Sequence, residues 1–457
     1  MKIKCTICSV LVLLLLCSCV VCFGASEPAQ DDAVKIVLDI LRSGDQEMQA
    51  VAIAMVKEMS GTEVTEALAK ELPKLSAASQ VMLLSALSDR GDAAALPAVS
   101  TATKSEDASV RIAALRALGQ LGGASSVELL AQAAAAATGE ERKAARDSLY
   151  RLRGPDVDQL ILVTIPKAES KVKVELIDAV GERNVRAGAK VLLKTAKDTD
   201  RKVRIQSLRI LKVVAGTEDM PALVELLINA QSSSDRNEAQ KTIAAVAHKI
   251  EDEHRQAEAV LAVLPKVKPL PSRCALLSVL GKIGDDTALP VLTDALKENN
   301  TEVQTAAIRA LAEWPTPKPL AELLDVAEGS DNKVHRILSL RGFVRLLGLE
   351  SERSAEEVLE MYKKAMRLAP DAGEKRRVLS GLGNVQSLAA LKMAADYLDD
   401  KSLSREASSA AVKIAAGIYD KFPKEANEVL KKIIAQTKET DPLRKQAQEV
   451  IDNIKQP

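Results

Sequence analysis

The chain has 457 residues and balanced charge, with 63 basic and 63 acidic side chains. That balance does not call for a strongly basic or acidic partner. Aromatic residues make up only 2% of the sequence, fewer than a compact enzyme core or a stacking site for bases or sugars normally uses. Alanine, leucine, valine, lysine and glutamate dominate, and most of these are good helix formers.

In chain order, the first segment reads as a leader. Lys2 and Lys4 precede an apolar run from Ile7 to about Val21, and the small residues Gly24, Ala25 and Ser26 follow. This is the layout of a secretory signal over residues 1–25, with a short linker at 26–30. An uncleaved anchor helix is the alternative, since residues 7–24 are marginally long enough to span a bilayer. Cys5, Cys8, Cys17, Cys19 and Cys22 all lie in this segment, so Cys274 is the sole cysteine of a cleaved chain. Such a chain rests on its core rather than on disulfides. L-C-S-C at residues 16–19 has the form of a bacterial lipobox, which would place a lipid on Cys19. The apolar V-V-C-F after it favours a plain cysteine-rich leader. Export follows from either reading, to a periplasm, cell envelope or extracellular space, with no membrane span once the leader is removed.

From residue 31 to 455 the sequence repeats. Arg111 recurs in steps of 31 as Arg142, Lys173 and Arg204 downstream, and as Gln80 and Gln49 upstream. The series continues at Arg236, Arg273, Gln304, His335, Lys375, Arg405 and Arg444, giving thirteen units. Seven residues after most of these positions stands an aliphatic residue, such as Val56, Leu87, Leu118, Val180 or Leu311. Four residues before stands a capping type: Asp45, Ser76, Asp107, Thr138, Glu169, Asp200, Ser232, Asn300, Asp331 or Asp371. Side chains of this kind accept hydrogen bonds from the open amides of a helix start. In residues 107–123, Val110, Ala113, Ala114, Ala117, Leu118 and Leu121 share one helical face. Gly119, Gly122, Gly281 and Gly284 are expected to weaken or end this helix. A preceding helix is read in each unit, as in M-P-A-L-V-E-L-L from Met220, where Pro221 sits in the first turn. The period stretches near residues 251–272 and 350–373, which read as irregular repeats rather than inserted domains. The tail from Glu425 reads as a capping repeat with a soluble outer face.

D-x-x-V-R-x-A-A-x-x-A-L-G-x-L-G, carried by Asp107, Val110, Arg111, Ala113, Ala114, Ala117, Leu118, Gly119, Leu121 and Gly122, resembles the HEAT repeat. The form is the short one also called the phycobilisome-lyase HEAT-like repeat. The resemblance implies an all-α fold, a right-handed α-α superhelix of the HEAT/ARM type with about thirteen helix pairs. It also implies that the Asp and Arg positions form a ladder between neighbouring repeats, with weaker bracing at Gln49, Gln80, Gln304 and His335. A pair that recurs in every unit is cap and brace rather than a catalytic site. Residues 374–400 resemble the C-terminal parts of large exported bacterial HEAT-like proteins, some of which carry carbohydrate-processing domains. That suggests a second reading, an accessory subunit of an exported carbohydrate-active complex.

The sequence offers no chemical constellation. His248, His254 and His335 are scattered, and they are followed by Lys249, Arg255 and Arg336. The His-Glu dipeptides that bind iron in the HEAT-like deoxyhypusine hydroxylases are therefore missing, and a HEAT-like metal or lyase enzyme is disfavoured. No nucleophile elbow, phosphate loop, zinc-protease helix or calcium loop is present. Cys274 reads as a packing residue, and Trp314 as core. No catalytic residue, cofactor or metal is assigned.

The expected working surface is the face of the second helices, five places past each reference residue, flanked by two aromatics. The candidates are Arg116, Asp147, Asp178, Arg209, Lys241 and Arg309, with Tyr150 and Phe343 as the rings reaching the open side. Mixed signs there argue against nucleic acid, and the scarcity of rings argues against sugars. A protein partner, held by a non-enzymatic scaffold, is the expectation.

Overall fold

The computed structural model describes residues 27–43 and 45–455. Residues 1–25, read from the sequence as a leader, lie outside this set, Cys19 among them. Among the described residues there are twenty-six α-helices and no strand, so the thirteen helix pairs read from the sequence are present. The chain divides into two compact units, one ending at Val214 and one beginning at Ala215.

The first unit holds repeats one to six. Their second helices are Gln46–Glu58, Ala77–Arg90, Ala108–Leu121, Gly139–Arg151, Ser170–Glu182 and Arg201–Val214. The second unit holds repeats seven to thirteen. Their second helices are Ser233–Ala247, Leu270–Ile283, Thr301–Ala312, Lys333–Leu347, Ala372–Leu382, Ser404–Ile418 and Pro442–Lys455. Within each unit a second helix packs on its own first helix and on the second helices of its neighbours. Each unit is thus a helical solenoid, in which contacts run between adjacent layers.

Local chemistry sets where the second helices start. Asp107 accepts from the amides of Ser109 and Val110, Ser76 from Ser79, Ser232 from Asp235, Asn300 from Glu302 and Val303, and Asp371 from Glu374. Each such cap is worth about 1 kcal/mol over alanine. Thr138 and Glu169 occupy the cap position but make no side-chain cap bond, so the sequence pattern overstates capping there. The first described helix begins at Glu27, inside the stretch 26–30 read as a linker.

Repeat ten carries a correction. Asn332, not Asp331, caps its second helix, accepting from Val334 and His335. The residue four places on is therefore Arg336 rather than His335. The core position seven places beyond it is Phe343, which is fully buried, in the place of Leu118 and Leu311. Across all thirteen repeats this position is buried, from Val56 to Ile451. Burying one such side chain contributes about 1.5–3 kcal/mol, so this column is the spine of each unit's core.

Two glycines act differently from expectation. Gly119 and Gly281 lie inside their helices, where neighbours approach closely. A Cβ on Gly119 would lie 2.7 Å from the Ser148 Cβ, and one on Gly281 only 2.5 Å from the Ala310 Cα. Gly122 and Gly284 do end their helices, Gly284 with a left-handed φ of 75°.

The stretch 251–272 is an ordinary repeat with a short first helix, Glu258–Val263, between 3-10 turns. The stretch 350–373 holds a long first helix, Ala355–Leu368, started by Ser354 and Glu357 capping each other's amides.

Candidate interaction face

Three kinds of polar link tie repeats together along the second helices. The first is made by the residue that follows the cap by four places. Arg111 Nη1 donates to the carbonyls of Ser105 and Glu106, both at 2.9 Å, which end the loop entering its helix. Its Nε and Nη2 donate to Glu141 of the next repeat, both at 2.8 Å. Arg204, Arg236, Arg336 and Arg444 likewise hold loop carbonyls, at 2.6–3.0 Å. Gln49, Gln80 and Gln304 reach the equivalent carbonyls of Leu41, Leu75 and Leu296 at 2.9–3.2 Å. These bonds stay within one repeat. Of the glutamines, among the described residues only Gln49 reaches the next repeat, donating to Ser79 Oγ at 3.1 Å, so the bracing between repeats is weaker at Gln80 and Gln304 as expected. The ladder itself also differs from expectation. Asp107 satisfies its own helix start, and the acid that meets Arg111 is Glu141. Hydrogen bonding from Arg111 holds the Glu141 carboxyl below its usual range, and bonds from Ser109 and Val110 do the same for Asp107.

The second link was not foreseen. Arg183 Nη1 donates to the carbonyls of Tyr150 and Leu152 at 2.8 Å, closing the open end of the preceding repeat's second helix. Arg90 does the same to Val56 and Met59, and Arg345 to Ala312 and Trp314. A cation at a helix C-terminus satisfies orphan carbonyls and opposes the negative end of the helix dipole. Burial lowers the Arg345 pKa, which fits a guanidinium bonded to carbonyls rather than to an acid.

The third link runs through repeats three to six. Arg116 meets Glu140 at 2.7 Å, both well exposed. Arg142 and Arg146 converge on Glu175, whose side chain is only 1% exposed, at 2.6 and 2.5 Å. Arg146 also reaches Asp178 at 3.3 Å, and Asp178 accepts from Gln206 of repeat six. Burial, with the like charge of Glu175, raises the Asp178 carboxyl above its usual range, against the pull of Arg146. Burial beside Asp178 also pushes the Tyr150 hydroxyl up. Glu140, Arg146, Glu175 and Gln206 are the members of this link that the sequence reading missed. The available signal was Glu175 itself, an acid where repeat three has the packed Ala113.

The expected face residues fall into distinct settings. Arg116, Arg209, Lys241 and Arg309 are exposed; Asp147, Tyr150 and Asp178 are half-buried. Lys241 lies 3.7 Å from Glu238. Among the described residues Arg209 and Arg309 have no hydrogen-bond or ion-pair partner. Phe343 is the exception to the expected surface, because the register of repeat ten turns it into the core. The same shift brings Arg341 to the exposed face in place of the buried Leu340, and Arg341 grips Glu374 of the next repeat.

The remaining reactive types are separate. His248 Nε2 pairs with the Ile283 carbonyl at 2.9 Å, and His335 Nε2 with Thr305 Oγ1 at 2.9 Å, while His254 is exposed in a 3-10 turn. Burial pushes the Cys274 thiol up, opposite to what a reactive thiolate needs. Trp314 is fully buried and its Nε1 donates to Asp286 at 3.3 Å. Among the described residues no three His, Cys, Asp or Glu side chains come together as a metal site, and no helix is long and apolar enough to cross a membrane.

Stacked helix pairs, caps at each second helix and neighbour-to-neighbour braces define an α-solenoid of the HEAT type. The chain carries HEAT repeats: the family model described by that name matches residues 65–149 and 265–341, within repeats two to four and eight to ten. Among solved structures it is similar to the karyopherin Kap121p bound to the extreme C-terminus of the protein phosphatase Cdc14p. The identity is 11% and the TM-score 0.57, over 93% of this chain and 54% of that one. Kap121p bound to the SUMO protease Ulp1p gives 12% and 0.57, over 93% and 53%. Kap95p in a structure with RanGDP gives 10% and 0.51, over 93% and 67%. At these identities the likeness is one of fold, and the chain spans about half the length of the Kap121p chains it matches. No curated protein matches it in sequence.

Proposed function

We propose that this protein is an exported, non-enzymatic scaffold that binds a protein partner along the face of its second helices. The observation that carries the reading is the state of the charges there. Arg209 and Arg309 project into solvent without partners, whereas the charges that brace the repeats are spent on neighbouring repeats. Unpaired arginines on a rigid helical face are suited to carboxylates of a partner, because the guanidinium presents a planar fork of donors. The similar Kap121p has been solved bound to the extreme C-terminus of Cdc14p and bound to the SUMO protease Ulp1p, which supports protein binding by a solenoid of this fold. The leader over residues 1–25 supports export, and the lipobox form around Cys19 supports a lipid anchor as a variant of it.

The test is co-purification from the native host. The protein is expressed with its own leader and a C-terminal tag, mildly crosslinked, and its companions identified by mass spectrometry. A reproducible companion lost on joint reversal of Arg209 and Arg309 to glutamate, with the melting temperature kept, is the expected result. A companion indifferent to the reversal would remove the face from the proposal. Fractionation and N-terminal sequencing of the same sample test export; an intact leader in the cytoplasmic fraction would contradict it.

A further inference from the structure

We propose a second, separate binding site in repeats eleven and twelve, for a short acidic peptide segment that carries an apolar side chain. A cavity of about 650 Å³ opens there between the first helices Ala355–Leu368 and Leu388–Ala395. Arg367, Lys375 and Lys392 line it, over a floor of Met366 and Met393 beside Tyr397. Met366 and Met393 are buried, at 6% and 8% exposure, so the floor is apolar while the rim is cationic. Methionine floors adapt to side chains of different shape.

The cations are not held in direct ion pairs, although the charge of Arg367 is felt by Glu360 and that of Lys375 by Asp400. Lys363 also lines the cavity, but its amino group is held by Glu360 at 2.7 Å. Asp396 is the one acid on the lining. Arg367, Lys375 and Lys392 have no hydrogen-bond or ion-pair partner among the described residues. Lys375 is the informative one. It occupies the position four places after the cap Asp371, where Arg111, Arg204, Arg236 and Arg336 hold loop carbonyls. Lys375 makes no such bond; its charge acts on Asp400, 25 places on, as Lys173 meets Asp198 and Arg273 meets Glu298, but without their direct ion pair, and it lines the cavity. Three cations without a hydrogen-bonded acid and an apolar floor match a ligand with carboxylates around one apolar group. Peptide is the favoured source because one chain can carry carboxylates on both sides of an apolar side chain, matching the cationic rim around the methionine floor. The site stands on the first-helix side and does not depend on the second-helix face.

The test uses the full chain and a short fluorescein-labelled peptide of glutamates flanking one leucine, followed by fluorescence polarisation. Saturable binding is expected, with loss of affinity as sodium chloride rises, because exposed charge pairs are screened. The same peptide with glutamines should not bind. Joint Arg367→Glu and Lys392→Glu substitution should weaken binding by about tenfold or more. Lys375→Gln is the milder variant and should weaken it with the melting temperature unchanged. Arg309→Glu should leave it intact, which separates failure of this site from failure of the second-helix face. Equal binding of the glutamine peptide, indifference to the Arg367 and Lys392 reversals, or displacement by inorganic phosphate at concentrations equal to the peptide would overturn the proposal.

Discussion

Gly281→Ala sets two effects of opposite sign against each other. In a helix interior alanine is favoured over glycine by about 1 kcal/mol, so a reading based on helix preference alone makes the substitution stabilising. The structure reverses the sign. The new Cβ would lie 2.5 Å from the Ala310 Cα and 2.7 Å from both the Ala310 Cβ and its carbonyl oxygen. Ordinary carbon contacts are roughly 3.5–4.0 Å, so the helix Thr301–Ala312 has to move away by about 1 Å. The obstacle is backbone, which cannot swing aside as a side chain would, and overpacking of this kind costs about 1–3 kcal/mol. A net loss of up to about 2 kcal/mol remains, and a unit of this size loses about 2–4 °C per kcal/mol, giving a fall of up to roughly 8 °C. Trp314 is the single tryptophan of the chain, fully buried in the same unit, so its fluorescence on heating reports this unit directly. Gly329→Ala is the control: nothing lies within 4 Å of its added Cβ, and it should raise the same transition slightly. A Gly281→Ala protein that melts at or above the parent would refute the close-approach account.

Other perturbations test other layers. Phe343→Ala should cost about 3–5 kcal/mol by emptying a core position; a loss under 1 kcal/mol in denaturant titration would contradict the register given to repeat ten. Glu175→Ala should cost about 2 kcal/mol, less than a fully enclosed ion pair because Arg142 and Arg146 keep contact with water; an unchanged denaturation midpoint would show that the chain through repeats four and five holds nothing. The pH dependence has a definite sign at Glu141. Its folded pKa lies below the ordinary 4.5, so its contribution is present above 4.5 and is lost as pH falls through the lowered value. Glu141→Gln should therefore be less stable than the parent at neutral pH, and the two should converge in acid. A gap that widens toward low pH would contradict the pairing with Arg111.

The sequence made the repeat legible because three features recur at fixed offsets: a cap, a long polar residue four places on, and an aliphatic residue seven places beyond that. Local chemistry of this kind is written in one helix. Features that arise between helices were harder to read. Arg90 and Arg183 close the helix before their own from ten places past the reference residue, and Arg345 from nine past Arg336. Yet most other repeats carry an apolar residue such as Leu121, Val214 or Ile283 at that place, so three arginines there did not stand out as a series. Gly119 and Gly281 look like helix breakers until the neighbouring Ser148 and Ala310 are in place. At repeat ten the sequence offers two adjacent caps, Asp331 and Asn332, and a step of 31 selects the wrong one. Arg336, four places after Asn332, held the answer, since it restores both the brace and an apolar residue at the core position. Arg116, Arg209, Lys241 and Arg309 are exposed at the places the register assigns them, whereas Phe343, one place out of register, is buried.

The cap of repeat ten also says where this chain can grow. From Ser76 to Asp107 the interval is 31 positions, whereas from Asn300 to Asn332 it is 32. The additional residue lies before the cap, and everything after Asn332 keeps its orientation because the helix begins afresh there. The same insertion between Asn332 and Phe343 would rotate the remainder of the helix by roughly 100°, bringing the ring toward solvent and polar neighbours inward. Length variation in a chain of this type is therefore absorbed silently at the joints and lethally within the rods. Lineages related to it should differ in the loops that precede a cap while the spacing from cap to core stays fixed, and tags or linkers placed just ahead of a capping residue should be tolerated.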